Sequence, residues 1–375
     1  MEKRDFIKRG AILAALTPLY SNSTLKKISD KYSYITPEDF GASGDGVTDD
    51  TIYFQTAINF CVDNKLKLFL SGSYLISRTL NVYGDYSVGS RVCIQGMTSS
   101  ATILFSGQGV CLNIGAFGAD INDFNIKRSG IAGGVALKVT GSNGQLKNLI
   151  IIGEWDVSYW LIDFSNGVVV NCRDFGDKNK LTGISWLINS CVNTSFDSNY
   201  TTYRNFGYVL DKNALVFDKD INELVPSNYK RQIHWGCEGL NFNSIKTIWC
   251  NNGIRSSGIA ISFSNCIIDL CHKTILTWYA ELYCTNCWFA SSKISESGKN
   301  VFYNENISTV VIFIGNHFTY NVAGKIQYAV IEANSGSIIG NVADGFLIKV
   351  RARSESVLSN VGNIEINLGE WHILN

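Results

Sequence analysis

Short apolar runs bounded by Gly, Asn and Ser recur along most of this sequence, and this repetition constrains its fold more than any other feature. The spacing of the runs fits stacked turns of roughly 20 to 27 residues. In a parallel solenoid each turn buries its apolar side chains on those of its neighbours, and stacked Asn side chains at the bends bond along the axis. The pattern therefore predicts an all-β parallel solenoid. The runs are RVCIQG, ATILFSG, GVCLNIG, VALKVTG, LKNLIIIG, GVVVNC, GISWLINSC, GLNFNS, GIAISFSNC, STVVIFIGN, GSIIGN and NIEIN.

The composition agrees with many short strands and argues against nucleic-acid binding. Of the 375 residues, 46% are hydrophobic and 17% are charged, so the chain can bury a large core and we expect one large domain. Pro is scarce (3) and Gly is plentiful (34), which favours tight turns over helical bundles. The 32 basic residues balance the 32 acidic ones, so no overall field attracts a nucleic acid.

The eleven cysteines form no recognisable disulfide or zinc framework. Cys284 and Cys287 make a CxxC pair, but no second pair of Cys or His lies at zinc-finger spacing. We therefore expect no metal site and interpret most of the cysteines as small buried hydrophobic residues.

The first 33 residues have the character of an export signal. Residues Lys3 to Lys8 (KRDFIK) resemble a twin-arginine motif with Lys in place of the first Arg, although no Ala-x-Ala cleavage site follows. The apolar run from Ala11 to Leu16 is too short to cross a bilayer. We expect an exported protein without a membrane span and a folded domain over residues 34–375; the alternative is an amphipathic N-terminal helix.

The stretch DFGASGDGVTDD, residues 39–50, is the densest run of Gly and Asp in the chain. Thr48 is a suitable N-cap, Asp49 and Asp50 suit the first turn of a helix, and apolar residues repeat at helical spacing through Val62. Because the acids do not match the ligand spacing of a calcium loop, we interpret them as capping and turn residues. The prediction is a capping motif and helix within residues 39–64.

The block TPEDFGASGDGVTDDTIYFQTAINFCVDNK, which contains this motif, closely resembles the entry motif of the pectate-lyase-like superfamily of right-handed parallel β-helices. That superfamily includes bacteriophage tailspikes and bacterial polysaccharide-degrading enzymes. The resemblance implies a single-stranded right-handed parallel β-helix whose N-terminal end is closed by an α-helix. It implies much less about the substrate, because similar proteins cleave many polysaccharides by hydrolysis or elimination.

Three segments align when each is started at an Asn: Asn148, Asn171 and Asn193. Glu154 and Asp177 both lie six residues after their Asn, so the alignment places them in one column on successive coils. Adjacent strands are about 4.8 Å apart, close to the carboxyl separation of about 5 to 5.5 Å in retaining glycosidases; a wider gap of about 6.5 to 9.5 Å suits inverting enzymes. The competing interpretation is that both acids are solvated turn residues.

Other acids and several aromatic or basic residues compete for a place in the site. Asp174 lies beside Asp177, Asp197 lies near the column on the next coil, and Glu238 opens a strand after an insertion at about residues 201–235. Irregular segments of a solenoid often border its binding groove. The candidate catalytic residues are therefore Glu154, Asp177, Glu238, Asp197 and Asp174, and the candidate substrate-binding residues are Trp155, Tyr159, Tyr203, Lys230, Arg231, His234 and Trp235.

The function predicted from these residues is cleavage of a bacterial capsular polysaccharide or exopolysaccharide by carboxylate-catalysed glycoside hydrolysis, without an organic cofactor. Two alternatives stay open: a polysaccharide lyase in which Lys230, Arg231 or His234 removes a proton, with Ca²⁺ as a possible cofactor, and a non-catalytic glycan-binding or assembly protein. We expect a monomer or homotrimer. An exported periplasmic or extracellular enzyme is favoured over a component of a phage virion tail, because little sequence flanks the predicted solenoid.

Overall fold

The structure, a computed structural model, describes residues 34–84, 92–210, 236–291, 302–304, 310–320, 327–344, 346–361, 363–366 and 373–374. The export-like segment and four predicted binding residues lie outside these ranges, so their roles stay predictions. These four residues are Lys230, Arg231, His234 and Trp235.

The Gly- and Asp-rich stretch forms a compact turn that leads into helix α1 (Thr51–Asn64). A short 3₁₀ helix, Pro37–Phe40, precedes it. The buried carboxylate of Asp50 accepts the backbone N–H groups of Ser43 and Gly44 at 2.7 and 3.0 Å. The acids therefore shape the backbone, as predicted. The predicted N-cap was wrong: Thr48 lies in a strand, and Asp50 precedes the helix.

Most of the described chain forms strands. In chain order they are β1 (Tyr34–Ile35), β2 (Asp45–Asp49), β3 (Lys67–Leu70), β4 (Ser73–Ile76), β5 (Leu80–Tyr83), β6 (Cys93–Gly96), β7 (Thr102–Phe105), β8 (Val110–Gly115), β9 (Asp120–Asn122), β10 (Asn125–Arg128), β11 (Val135–Thr140), β12 (Gln145–Lys147), β13 (Ile150–Ile152), β14 (Val157–Ile162), β15 (Val168–Val170), β16 (Arg173–Phe175), β17 (Thr182–Asn189), β18 (Ser195–Asp197), β19 (Tyr200–Thr202), β20 (Arg204–Leu210), β21 (Asn241–Asn243), β22 (Lys246–Ile248), β23 (Asn252–Ser264), β24 (Ile267–Cys271), β25 (Lys273–Thr285), β26 (Trp288–Ser291), β27 (Phe302–Asn304), β28 (Val310–Ile314), β29 (His317–Tyr320), β30 (Gln327–Ile339), β31 (Val342–Asp344), β32 (Phe346–Val361), β33 (Asn363–Ile366) and β34 (Ile373–Leu374).

The strands stack into a parallel β-helix, which confirms the predicted fold. Among the described residues, sheet 1 contains 20 strands and sheet 2 contains 14. From β5 to β22 each coil passes through two strands of sheet 1 and one of sheet 2, as β14, β15 and β16 do before the chain rises to β17. In the next coil one long strand, β23, pairs with both β20 and β21. In the described ranges every strand pairing within the stack is parallel, apart from that of β33 with β34 at the C-terminal end. None of the described helices has the length and hydrophobicity needed to traverse a lipid bilayer.

The core is built from ladders of equivalent side chains on successive coils. The rings of Tyr159 and Trp186 stack with their centroids 3.9 Å apart, and Tyr208 continues the ladder at 5.8 Å from Trp186. All eleven cysteines are buried and free, which confirms their interpretation as small core residues. Burial raises the pKa of the Cys172 thiol to about 12, so this thiol stays protonated and unreactive at neutral pH.

Left-handed residues turn the chain between the second strand of sheet 1 and sheet 2. Asn148, Asn171 and Ser198 occupy this position on successive coils with φ between 50° and 54°. The Asn171 amide donates to the side-chain oxygen of Asn148 at 2.8 Å, which confirms that Asn residues bond along the axis at a bend. Asn and Ser suit the position because a short polar side chain tolerates the left-handed conformation.

Two boundaries differ from the prediction. Asn193 does not align with Asn171: the pairing of Val168 with Ser195 places it above Asn166, and Ser198 follows Asn171 in the column. The predicted insertion at 201–235 begins too early, because Thr201 and Thr202 belong to β19 and residues 204–210 form β20. Residues 211–235 lie outside the described ranges.

Candidate functional site

The candidate site lies at the turns through which the chain leaves sheet 2 and returns to sheet 1. We call this the exit corner; on four successive coils it comprises residues 153–156, 176–181, 203 and 249–251. Gly153 and Gly176 begin the first two of these turns. A Cβ atom on Gly176 would lie 1.9 Å from the carbonyl oxygen of Tyr203 on the next coil, so only Gly permits this close stacking.

Glu154 and Asp177 occupy equivalent positions at the exit corner, as the alignment predicted. Ile150 pairs with Arg173 and Ile152 with Phe175, and the same offset relates Glu154 to Asp177. Both side chains are half-buried. The axial rise between adjacent strands is about 4.8 Å, so the two acids lie on neighbouring coils with access to solvent.

Lys180, on the same turn as Asp177, forms an ion pair with Glu154 on the neighbouring coil. Its ammonium group donates to Glu154 Oε2 at 2.8 Å, and the lysine side chain is 59% exposed. The hydrogen bond from Lys180 to Glu154, together with the charges of Glu154 and Asp177, raises the pKa of the lysine. Lys180 is therefore a cation at neutral pH, and because its side chain is exposed to solvent the ion pair with Glu154 is weak and opens readily.

Asp177 also organises its own turn. Its Oδ1 accepts the N–H of Asn179 at 2.9 Å, and its carbonyl accepts the N–H of Lys180 at 3.1 Å. These hydrogen bonds agree with the competing interpretation of Asp177 as a turn residue. The other carboxylate oxygen, Oδ2, is not engaged in these turn hydrogen bonds, so the turn role and the catalytic role are compatible.

An aromatic pair continues the exit corner beyond the acids. The rings of Tyr203 and Trp249 stack with their centroids 5.3 Å apart and their planes 5° from parallel. Both residues have positive φ values, 59° and 54°, which for bulky side chains is uncommon and marks a constrained turn. Trp249 is 45% exposed. The pair presents a flat apolar surface of the kind on which a sugar ring stacks.

Asp174 is part of the core and not of the accessible site, so its prediction as a catalytic acid was wrong. It is the middle residue of β16 and points inward, with no exposed surface. The buried guanidinium of Arg204 donates to both of its oxygens, from Nε at 2.7 Å and from Nη2 at 2.5 Å. A carboxylate held in this way balances a buried charge and does not meet a substrate.

Asp197 and Glu238 lie at other corners. Asp197 ends β18, and its side chain accepts the amide of Asn243 at 3.2 Å. Its predicted place near the Glu154 column was wrong, because strand pairing sets it beside Val170. Glu238 is exposed, and its backbone forms isolated parallel β-bridges with Val192 on one neighbouring coil and Ile259 on the other. The structure does not bring either acid to the exit corner.

Trp155 and Tyr159, predicted to bind substrate, are buried in the core, and this prediction was wrong. The Trp155 indole N–H donates to the carbonyl of Ile152 at 3.1 Å. The Tyr159 hydroxyl reaches the carbonyls of Leu149 and Arg173 at 3.2 and 3.0 Å. Both polar atoms are satisfied within the protein, so these rings belong to the packed interior.

Of the predicted residues, Glu154, Asp177 and Tyr203 meet at one corner, together with two residues that the sequence did not single out. Trp249 directly follows a three-residue strand, as Tyr203 does, and this shared position was the available signal. Lys180 had no signal beyond its proximity to Asp177. Across the residues that the structure describes, no group of three or more His, Cys, Asp or Glu side chains is arranged to hold a metal ion.

No protein-family model matches the chain. Over 55 residues it is 49% identical to a protein of Klebsiella phage K64-1 described as a depolymerase specific for capsules K30 and K69. The match covers 15% of this chain and only 7% of the phage protein.

Solved structures share the fold at low sequence identity. The tailspike gp42 of Acinetobacter phage vb_AbaP_AS12 matches with a TM-score of 0.57 and 10% identity, over 92% of this chain and 64% of its own. The catalytic unit of a GH87 α-1,3-glucanase from Streptomyces thermodiastaticus strain HF3-3 matches with a TM-score of 0.55 and 14% identity, over 88% and 68% of the two chains. The A-module of the mannuronan C-5 epimerase AlgE6 from Azotobacter vinelandii matches with a TM-score of 0.55 and 13% identity, over 89% and 99%. These matches confirm the predicted resemblance to parallel β-helix tailspikes and glycan enzymes at the level of the fold.

Proposed function

We propose that this parallel β-helix protein cleaves a bacterial surface polysaccharide by glycoside hydrolysis at the exit corner. The observation that carries the proposal is the register of Glu154 and Asp177, which sets two half-buried carboxyl groups on adjacent coils. Glycoside hydrolysis needs a neighbouring pair of carboxyl groups, one as the acid and the other as base or nucleophile. The phage depolymerase relative and the glycan-active proteins of the same fold support the choice of substrate class.

In this mechanism one carboxyl group protonates the glycosidic oxygen, and the other attacks the anomeric carbon or activates water. We assign the role of proton donor to Glu154 and the role of base or nucleophile to Asp177, whose Oδ1 is already oriented by the N–H of Asn179. To bring Glu154 to the glycosidic oxygen, the substrate displaces Lys180 from its Oε2. The rings of Tyr203 and Trp249 hold the neighbouring sugar.

The presence of Lys180 supports a lyase as the second candidate. A cation beside the reacting sugar neutralises the carboxylate of a uronic acid and so favours loss of its C5 proton. The raised pKa of Lys180 keeps this residue protonated, which suits charge neutralisation and opposes a role as the base. The base in a lyase would then be a different residue.

The test is to incubate the protein with a panel of capsular polysaccharides and exopolysaccharides, including the K30 and K69 capsules, and to weigh the products by mass spectrometry. Hydrolysis adds one water per cleavage, whereas elimination leaves an unsaturated end. We expect hydrolysis that is lost in Glu154→Gln and Asp177→Asn. The matched controls are Glu238→Gln and Asp197→Asn, which change acids at other corners and should cleave normally. Intact glycans throughout would favour the non-catalytic binding or assembly role.

The place of action and the assembly are further parts of the proposal. The phage relatives support action outside the bacterial cytoplasm, either as an exported protein or on a virion tail. Detection of the protein in a periplasmic or culture fraction, or in purified virions, decides between the two. Light scattering decides between a monomer and a homotrimer.

A further inference from the structure

The outer face of sheet 2 adjoins the exit corner and is accessible along several coils. In its three-residue strands the middle residue points into the core, as Thr201 and Thr247 do with no exposed surface. From β13 to β29 the first residue of each strand of sheet 2 lies on the outer face and is half-buried or exposed. Strand pairing aligns the first residues in one axial row: Ile150, Arg173, Tyr200, Lys246, Ile267, Trp288 and His317.

From Ile150 to Ile267 this row alternates apolar or aromatic residues with cations, and it ends in the aromatic residues Trp288 and His317. Trp288 is 40% exposed, and its ring stacks on that of His317 with centroids 4.4 Å apart. Tyr200 packs against Phe175 at 5.7 Å and lies between the two cations Arg173 and Lys246. A flat ring between two cations suits a polymer of sugar rings that bear anionic groups.

The positive charge of this face is not balanced locally. Among the outward residues of the three-residue and neighbouring strands from β10 to β24, the charged ones are Lys127, Arg173, Lys246 and a single acid, Asp269. In the part of the chain that the structure describes, none of the three cations is in an ion pair, the two ion pairs being Lys180 with Glu154 and Arg204 with Asp174. Three cations and one acid give this part of the face a net charge of +2, whereas the formal net charge of the whole chain is zero.

Arg173 and Lys246 define one interval along the helix axis, which we compare with the length of a sugar unit. Arg173 and Lys246 are in the same row, with Tyr200 on the coil between them, so they lie two coils or about 9.6 Å apart along the axis. This distance is close to the length of a disaccharide in an extended glycan. Arg173 offers a planar guanidinium that binds a carboxylate with two hydrogen bonds, and Lys246 offers a point charge.

We propose that the outer face of sheet 2 binds an acidic polysaccharide that runs along the helix axis, with anionic groups on alternate sugars held by Arg173 and Lys246. This inference rests on the proposed function and names its substrate class. The glycan then crosses from the face to the exit corner, because Glu154 and Asp177 lie only two residues beyond the outward-facing Ile152 and Phe175.

The test measures binding by affinity electrophoresis with the Glu154→Gln protein, which cannot degrade the probe if the proposed function holds. The probes are xanthan, gellan, alginate and hyaluronan, each beside its neutral, carboxyl-reduced form. We expect at least one acidic probe to bind and its reduced form to bind at least tenfold more weakly. Arg173→Gln and Lys246→Gln should each weaken binding about threefold, and the double variant about tenfold. Lys67→Gln, which removes an exposed lysine from sheet 1, should bind as Glu154→Gln alone does.

The outcomes separate this inference from the proposed function. Equal binding of acidic and reduced probes, or no effect of the double variant, overturns the inference. The inference is also overturned if the protein cleaves a neutral glycan and the Arg173→Gln/Lys246→Gln variant does so with unchanged kinetics. The proposed hydrolase activity stands in that case. If a probe binds in a way that depends on Arg173 but no glycan is cleaved, the inference about the outer face of sheet 2 stands and the proposed hydrolase activity is overturned. If no probe binds and Trp288→Ser converts an oligomer to a monomer, the face is a contact between copies of this chain, and the inference fails.

Discussion

The buried ion pair between Asp174 and Arg204 provides the sharpest test of which acids belong to the core. Both side chains have no exposed surface, and the guanidinium donates to both carboxylate oxygens. In Asp174→Ala the charge of Arg204 stays buried without a counter-charge. Breaking a buried pair on one side costs about 3–5 kcal/mol. The Nη1 atom of Arg204 already has no hydrogen-bond partner among the described residues. We therefore expect no other acceptor near the guanidinium to replace the lost carboxylate.

The measurement is the rate of unfolding in urea, followed by tryptophan fluorescence, because a chain of this size need not unfold reversibly. If the pair is broken in the transition state for unfolding, a loss of 3 kcal/mol speeds unfolding by about 10²-fold. The matched control is the double variant Asp174→Leu/Arg204→Met, which removes both charges. Replacing both partners by apolar residues is often neutral or stabilising, so this variant should unfold at nearly the wild-type rate.

Two results would refute the reasoning. If Asp174→Ala unfolds at the wild-type rate but no longer cleaves glycan, Asp174 is a catalytic acid and its burial has been misread. If the double variant unfolds as fast as the single one, the damage comes from lost packing and not from the unpaired charge of Arg204.

Three further predictions concern the exit corner and the N-terminal turn. Trp249→Ala should raise KM about three- to tenfold at unchanged kcat, because it removes one ring of the stacked pair, as steady-state kinetics will show. Gly176→Ala should lower both the Tm and the cleavage rate, because its Cβ would meet the carbonyl of Tyr203 at 1.9 Å. Hydrogen bonds from the N–H groups of Thr48 and Val47 lower the pKa of Asp45, so its contribution to stability is present above an unfolded pKa of about 3.9 and is lost as the pH falls through the folded value. Asp45→Asn should therefore melt below wild type at neutral pH and converge with it in acid.

The fold was predictable because its signals are local. A strand of three to six residues with a buried middle leaves a short apolar run, and the bend that follows leaves Asn, Ser or Gly. Helix α1 was predicted from the spacing of residues such as Phe54 and Cys61, and both are buried in the structure. Its N-cap was predicted wrongly because Thr48 lies in β2 and donates its hydroxyl to Asp45 at 2.8 Å instead of capping the helix.

The register between coils was harder to predict, because several residue types satisfy the same bend. Asn148 and Asn171 mark the left-handed position correctly, and their equivalence gave the column of Glu154 and Asp177. On the next coil Ser198 takes that position with a φ of 54°, so the alignment on Asn193 slipped. A single chain offers no signal that separates the two, since both residue types tolerate the bend.

Burial of the aromatic residues was not predictable for a related reason. Tyr159 carries a hydroxyl that suggests a wet environment, yet two backbone carbonyls satisfy it inside the core. Tyr203 and Trp249 are likewise aromatic residues with one polar group, but each directly follows the last residue of a strand and lies at the exit corner. The position of a ring relative to a strand end therefore decides its role, and that position depends on the register.

The corners and the strands of this fold carry different constraints, and this separation explains why a site can arise at the exit corner. One residue, Tyr203, links β19 to β20, whereas residues 176–181 link β16 to β17, yet the strands on either side stay paired in register. Changing a corner therefore need not disturb the core ladders. The spacing between equivalent corner residues on successive coils is nevertheless set by the spacing of the paired strands. A chain of this fold can vary its acids and rings at the corner while the distance between coils, which hydrolysis and a periodic ligand both require, is set by the backbone hydrogen bonds of the sheets.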